Sequence, residues 1–120
     1  MRSQPNVTAR LRTVLPSDCA ISAITSYELF TGIAKCTDPM REQSKVDLLL
    51  KTLVELSFDS AAAREAGSIR GVLESRGQMI GPYDVLLAGQ AIAKGLILVT
   101  ANVGEFQRVP RLVFQNWRIT

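Results

Sequence analysis

The sequence contains no histidine, and this absence excludes a large part of enzyme chemistry. Without an imidazole there is no Ser-His or Cys-His nucleophile pair, no histidine general base and no histidine ligand for a metal. Any acid, base or metal chemistry must therefore come from carboxylates, lysine, tyrosine, threonine or serine.

Cysteine is scarce, and long apolar runs are missing. Cys19 and Cys36 are too few for a four-thiolate zinc site and lack the CxxC spacing, so we expect two reduced thiols. No apolar stretch reaches the roughly 18 residues that a membrane span needs. The N-terminal segment MRSQPNVTAR lacks the apolar region of a signal peptide. We therefore expect a cytoplasmic protein with no membrane partner.

What the sequence does contain is typical of a single globular domain over residues 1–120. Of the 120 residues, 47% are hydrophobic and 21% are charged, which is sufficient for a core without a disulfide or a structural metal. The 14 basic and 11 acidic side chains give a net charge of +3. This balance is compatible with a polyanionic partner, although charge alone favours an ordinary solvated basic surface.

The first half of the chain predicts a strand and two helices. The run CAISAI, residues 19–24, follows a turn-prone segment and predicts a short buried strand. A helix is predicted from Thr25 to about Lys35, because Thr25 and Glu28 have the spacing of a capping box. A second helix is predicted to begin at Pro39, and its apolar residues recur at helical spacing: Val46, Leu49, Leu50 and Leu53.

The second half predicts two further helices and a central strand. Asp59 is a candidate N-cap for a helix that Gly77 ends. The helix Val85–Ala93 is apolar nearly all round and is predicted to be buried. The run LILV, residues 96–99, predicts a central parallel strand covered on both faces, and a last short strand is expected at residues 117–119. This order of elements predicts a three-layer α/β domain with a parallel sheet.

Four polar side chains stand where predicted strands end and helices begin. Glu28 follows the first strand, Asp84 opens the buried helix, and Asn102 and Glu105 follow the LILV run. Each has an ordinary structural explanation: a capping box for Glu28 and Glu105, the helix dipole for Asp84 and an N-cap for Asn102. Because parallel sheets bind ligands beyond the carboxyl ends of their strands, the alternative is that the four converge at one sheet edge.

A cluster of this kind predicts a specific chemistry. Ligand sets made of oxygen atoms favour Mg²⁺ or Mn²⁺ over zinc. Such an ion activates a water molecule and stabilises the leaving oxygen of a phosphodiester. Hydrolysis of a nucleic acid by this route needs no histidine, which agrees with the composition.

Three segments carry a resemblance to a known family. They are AISAITSYELFTG at residues 20–32, IGPYDVLLAGQA at residues 80–91 and LVTANVGEFQRVPRL at residues 98–112. In this order they closely resemble the PIN-domain ribonucleases, specifically the VapC-type toxins of bacterial toxin–antitoxin pairs. The resemblance implies an α/β/α fold with a mostly parallel central sheet, cleavage of RNA that depends on Mg²⁺ or Mn²⁺, inhibition by a cognate antitoxin, and a homo-oligomer.

The resemblance also implies roles for individual residues. Glu28 and Asp84 match acidic positions of the family and would be the metal ligands. Asn102 falls where many members have Asp, which implies a lesser role in the site. Glu105 matches the acidic residue of an Asn-x-x-Glu-Phe variant of the family motif. Gly89 stands where small residues such as alanine are usual, and we expect it to cost about 1 kcal/mol of helix stability.

The chain departs from the family pattern at its N-terminus. Members begin with a strand that ends in a Leu-Asp-Thr-Asn-like motif, whose Asp is a principal metal ligand. This sequence has no such motif, so we expect a domain truncated at its N-terminus, with weakened Mg²⁺ binding and a tendency to oligomerise.

Three hypotheses about function follow from these patterns. The leading hypothesis is a VapC-type endoribonuclease. The alternative is a catalytically inactive module that binds an antitoxin or a second copy of itself. A domain that binds small phosphate compounds ranks below both, because the chain lacks a Gly-rich phosphate loop.

Overall fold

A strand and a helix meet at Ser22 in the computed structural model, which describes residues 19–100 and 103–116. The strand, β1, is Ala20–Ser22, and the helix, α1, is Ala23–Lys35. Ser22 is the N-cap of α1, because its side-chain oxygen accepts a hydrogen bond from the Ile24 amide at 3.0 Å. The predicted helix start at Thr25 is therefore wrong, since the Ser22 hydroxyl caps the helix earlier and ends the strand.

The next helix, α2, is Pro39–Thr52 and begins where it was predicted. Asp38 caps it by accepting a hydrogen bond from the Arg41 amide at 3.3 Å. Pro39 suits the first helical position because it has no amide hydrogen that needs a partner. The helices α1 and α2 pack around a small core that consists of Ile21, Leu29 and Val46 with the partly buried Ile33, Leu49, Leu50 and Leu53.

A second compact unit begins at Phe58, after the first ends at Ser57. Its first helix, α3, is Ser60–Ser75, and Asp59 caps it by accepting from the Ala62 amide at 3.0 Å. The next helix, α4, is Pro82–Lys94 and ends at Gly95, whose φ of 64° is the left-handed conformation typical after a helix. The buried core of this unit consists of Ala66, Ile69, Leu73, Ile80, Val85, Ala88, Phe106 and Val109.

Short parallel strands accompany these helices. In the first unit β2, Val54–Leu56, pairs with β1. In the second unit β3, Leu98–Val99, pairs with β4, Phe114–Gln115, and a short helix, α5, Val103–Phe106, lies between them in the chain. Because helical connections join strands that run in parallel, the α/β class is confirmed.

The LILV run differs from the prediction. Ile97 and Val99 are 52% and 38% exposed, and the strand is limited to Leu98–Val99. Coverage on both faces is therefore wrong for this run, because Ile97 and Val99 are two residues apart, lie on the same face and are exposed. The strand predicted at residues 117–119 lies outside the described residues.

Two further expectations concern the chain as a whole. In the described part of the chain, no helix combines the length and the apolar character that crossing a membrane requires. The assignment of residues 1–120 to a single domain stays a prediction.

Candidate functional site

Asp84 lies in the first turn of α4, where its half-buried carboxylate folds back over the start of the helix. Gly81 is the N-cap residue, and a Cβ atom at that position would stand 3.1 Å from Asp84 Oδ2. Because Gly81 has no side chain, the Asp84 carboxylate has room beside it. The first turn of a helix also favours an anion, because its backbone amides give it a partial positive charge.

Glu105 brings a second carboxylate to the same place. It is half-buried in the first turn of α5, and its Oε1 atom accepts a hydrogen bond from the Gly81 amide at 3.1 Å. Asp84 and Glu105 thus both lie beside Gly81. The structure brings these two predicted site residues together, although they are far apart in sequence.

Arg108 contacts the same turn and is absent from the predicted site residues. Its Nη1 atom donates a hydrogen bond to the Met79 carbonyl oxygen at 3.1 Å. No local pattern signals this contact, because the two residues are 29 positions apart in the chain. The one available signal is the spacing from Glu105, since residues three apart lie on the same side of a helical turn.

Glu28 lies in the first unit, in the second turn of α1, and is exposed. The capping-box explanation for this residue is wrong, because Thr25 lies inside the helix and Ser22 is the cap. Metal ligation by Glu28 stays a prediction, and it no longer competes with a capping role.

A carboxylate that the sequence patterns do not single out lies close to α1. Glu55 of β2 accepts a hydrogen bond from Ser26 Oγ at 2.6 Å, and Ser26 is buried. A buried hydroxyl needs a partner, and the carboxylate supplies one. The bond fixes the first turns of α1 against β2, and Glu28 follows Ser26 on the same helix.

The four predicted residues are divided between the two units and the part of the chain outside the described residues. Asn102 lies outside the described residues, and Glu28 belongs to the first unit while Asp84 and Glu105 belong to the second. Among residues 19–100 and 103–116, no three acidic or cysteine side chains form a group that could hold a metal ion. The convergence of Glu28 with Asp84 stays a prediction.

The chemistry of the donors at Gly81 nevertheless fits a hard divalent cation. Asp84 offers carboxylate oxygens beside Gly81, which Mg²⁺ and Mn²⁺ accept as ligands, while Glu105 Oε1 accepts a hydrogen bond from the Gly81 amide. Mg²⁺ commonly binds through one or two protein carboxylates and completes its shell with water and substrate phosphates. Asp84 is therefore a suitable protein ligand for such an ion.

Comparison with known proteins identifies the family. Residues 2–112 match the PIN domain. The tRNA(fMet)-specific endonuclease VapC of Salmonella typhimurium is 39% identical over 101 residues, which cover 84% of this chain and 76% of that protein. Ribonuclease VapC2 of Rickettsia felis is 40% identical over 98 residues, which cover 82% of this chain and 73% of that protein.

Solved structures agree with the sequence comparison. The structure of DNA-bound VapBC from Salmonella typhimurium is similar with a TM-score of 0.88 and 34% identity, covering 95% of this chain and 86% of that one. VapBC2 from Rickettsia felis, bound to a promoter DNA fragment, gives a TM-score of 0.79 at 40% identity, covering 82% of this chain and 74% of that one. The resemblance carried by the three segments is confirmed, and the chain belongs to the VapC group of the PIN-domain family.

Proposed function

We propose that this chain is a VapC-type toxin, an endoribonuclease that hydrolyses phosphodiester bonds of RNA. The observation that carries the proposal is the half-buried Asp84 carboxylate, which lies with Glu105 at the start of α4. Relatives that are 39% and 40% identical are named as endonuclease and ribonuclease, which supports the same reaction here. The lack of histidine agrees with it, because carboxylate and metal chemistry needs no imidazole.

A divalent cation belongs to this proposal. PIN-domain ribonucleases of the VapC type are generally dependent on divalent metals. We propose Mg²⁺ or Mn²⁺ for this chain, with Glu28 and Asp84 as ligands and with Asn102 and Glu105 contributing to the same site. When bound, such an ion polarises the phosphodiester and makes a water molecule a better nucleophile.

The contribution of the chain itself is a carboxylate in a fixed place. Asp84 is held by a regular helix that begins at a rigid Pro82, and the missing side chain of Gly81 leaves room beside it. A group that is already oriented needs little reorganisation during the reaction. Asp84 is therefore suited to hold a ligand in one orientation relative to α4.

We also propose two protein partners. The similar solved structures are VapBC complexes, including VapBC-1 from nontypeable Haemophilus influenzae at a TM-score of 0.84 and 28% identity. A cognate antitoxin is accordingly the proposed inhibitor of this chain, and a second copy of the chain is the proposed partner in a homo-oligomer.

The sequence patterns also allow a second candidate function. The second candidate is a catalytically inactive module that binds an antitoxin or itself without cleaving RNA.

Cleavage of RNA by the purified full chain tests the first proposal. With Mg²⁺ or Mn²⁺ we expect cleavage by the wild type, and a loss of about 10- to 100-fold in Glu28→Gln and in Asp84→Asn, since loss of a group around a metal commonly costs this much. Glu74→Gln is the matched control, because Glu74 is an exposed acid that pairs with Arg70 on the surface of α3.

Each outcome of this experiment decides between the two candidates. Equal activity in the wild type and the Glu28→Gln, Asp84→Asn double variant would remove both residues from the mechanism. No cleavage by a wild-type chain that still binds its antitoxin would favour the inactive module. A loss in Glu74→Gln as large as in Asp84→Asn would show that the losses reflect general destabilisation.

A further inference from the structure

The turn between α3 and α4 is anchored by one apolar side chain. Ile80 is buried in the core of the second unit, where it joins Phe106 and Val109. The two residues that flank Ile80, Met79 and Gly81, present backbone groups at the surface of this core. Their hydrogen bonds decide how precisely the turn, and therefore the start of α4, is held.

Both backbone groups are bound by side chains from one short segment. Glu105 accepts a hydrogen bond from the Gly81 amide, and Arg108 donates one to the Met79 carbonyl oxygen, each at 3.1 Å. The segment that carries Glu105 and Arg108 is itself fixed, because two of its other side chains, Phe106 and Val109, are buried in the core. Hydrogen bonds to charged groups are stronger than those between neutral groups.

The hydrogen bond between Glu105 and the Gly81 amide resembles one of the two bonds of a capping box at a helix start. In a capping box, the side chain at the third helical position accepts from the amide of the N-cap residue. In α4 the N-cap is Gly81, and the third helical position is occupied by Asp84. Glu105 therefore supplies from another element the bond that a capping box takes from the residue at that position.

We propose that Glu105 and Arg108 are positioning residues, which hold the Met79–Gly81 turn and thereby set the orientation of Asp84. This inference rests on the proposed role of Asp84 in the reaction. It assigns Glu105 a hydrogen-bonding role through Gly81 rather than direct ligation, and it adds Arg108 to the site. Glu105 then acts through its acceptor atom, and its negative charge is secondary.

Replacement of Glu105 by glutamine and by alanine separates these roles. Glutamine keeps an oxygen that accepts from the Gly81 amide, whereas alanine has none. We expect Glu105→Ala to lose about tenfold in RNA cleavage and in Mn²⁺ affinity, and Glu105→Gln to lose clearly less of both. If glutamine is as damaging as alanine, Glu105 acts through its charge as a ligand or catalyst, and the positioning role is overturned.

Arg108 is tested in the same way, with lysine as the variant that keeps a donor. We expect Arg108→Lys to retain most of the Mn²⁺ affinity, measured by electron paramagnetic resonance, and Arg108→Ala to weaken it. Arg70→Ala is the matched control, because Arg70 pairs with Glu74 on the exposed surface of α3. An Arg108→Ala variant with wild-type affinity would overturn the role of Arg108.

Amide exchange gives a readout that does not depend on activity. In nuclear magnetic resonance experiments on the full chain, we expect the Gly81 amide to exchange about tenfold faster in Glu105→Ala than in the wild type and in Glu105→Gln. The Ala62 amide, which donates to Asp59, serves as the internal control. Unchanged exchange at Gly81 overturns the proposed contact even if cleavage falls.

Failure of the proposed function remains distinguishable from failure of this inference. If the wild type does not cleave RNA, faster Gly81 exchange and weaker Mn²⁺ binding in Glu105→Ala still support the positioning role. If Glu105→Ala does not fold, Arg108→Ala is the second variant, since it removes a contact to the exposed Met79. Wild-type exchange at Gly81 in that variant, with wild-type Mn²⁺ affinity, counts against the positioning role.

Discussion

Gly89 lies on the side of α4 that packs against α3. A Cβ atom on Gly89 would stand 2.5 Å from the Ala66 nitrogen and 2.6 Å from its Cα. These are backbone atoms of α3, so they cannot move aside as a flexible side chain would. The expected helix cost of this glycine is thus offset by the close approach of two helices that a larger residue would prevent.

We predict that Gly89→Ala destabilises the protein although alanine is the better helix former. The clash should cost about 1–3 kcal/mol, which exceeds the roughly 1 kcal/mol gained in helix propensity. Gly71→Ala is the matched control, since Gly71 lies inside α3 and a Cβ atom there would have no neighbouring atom within 4 Å. Denaturant unfolding should show Gly71→Ala to be more stable than the wild type and Gly89→Ala to be less stable; the same sign for both would contradict the prediction.

At the same scale, the site residues were predictable to different degrees. Asp84 could be placed in the first turn of its helix, because Gly81-Pro82 is a local signal of a helix start. The contact between Glu105 and Gly81 could not be predicted, since it joins two segments that are distant in sequence. The spacing of Glu28 from Thr25 predicts a capping box, while the observed cap, Ser22, has no distinguishing pattern.

At the scale of elements, one ion pair joins the ends of two helices. Lys94 in the last turn of α4 donates to the carboxylate of Asp59, the N-cap of α3. This hydrogen bond from Lys94 is the main reason that the pKa of Asp59 lies below its ordinary value of 3.8, and the bond from the Ala62 amide lowers the pKa further. Asp59 thus both caps α3 and forms a salt bridge with Lys94.

We predict that this pair contributes to stability above acidic pH and not below. Because the pKa of Asp59 is lower in the folded state, its ionised carboxylate stabilises the folded protein fully above about pH 3.8. This stabilisation is lost as the pH falls through the lower pKa of the folded state. Asp59→Asn keeps a good N-cap and removes the charge. Its melting temperature should lie below that of the wild type at pH 7, and the two should approach each other as the pH falls below about 4.

The control for this prediction is the partner residue. Lys94→Met removes the cation and keeps the Asp59 cap, so it should lower the melting temperature at pH 7 in the same direction. Both side chains are partly exposed, and the effect should therefore shrink at high salt. A difference between Asp59→Asn and the wild type that stays constant from neutral to acidic pH would show that the charge plays no part.

At the scale of the whole molecule, the helices were more predictable than the sheet. The starts of α2 and α3 follow from signals within a few residues, Asp38-Pro39 and Asp59. The pairing of strands depends on partners that are distant in sequence, such as Ala20 with Val54. The burial of LILV likewise depends on which strand lies beside it, and no pattern within the run reports its neighbours.

Exposed apolar side chains on and before β3 motivate the prediction about assembly. Leu96, Ile97 and Val99 are exposed, and β4 is the one strand that pairs with β3 in the described residues. Exposed apolar side chains that lie close together favour association with another chain. We therefore predict that the purified chain self-associates at micromolar concentration and that Ile97→Lys shifts it towards the monomer, measured by light scattering after size-exclusion chromatography.

Leu48→Lys is the control that distinguishes a specific contact through β3 from a general effect of exposed apolar side chains. Leu48 is 66% exposed on α2, in the first unit, so it is an apolar side chain more exposed than Ile97. Since Leu48 is not one of the exposed residues on and before β3, Leu48→Lys should leave the oligomer intact. A wild type that stays monomeric over the whole concentration range contradicts the prediction. Equal dissociation by both variants would attribute the association to exposed apolar area rather than to β3.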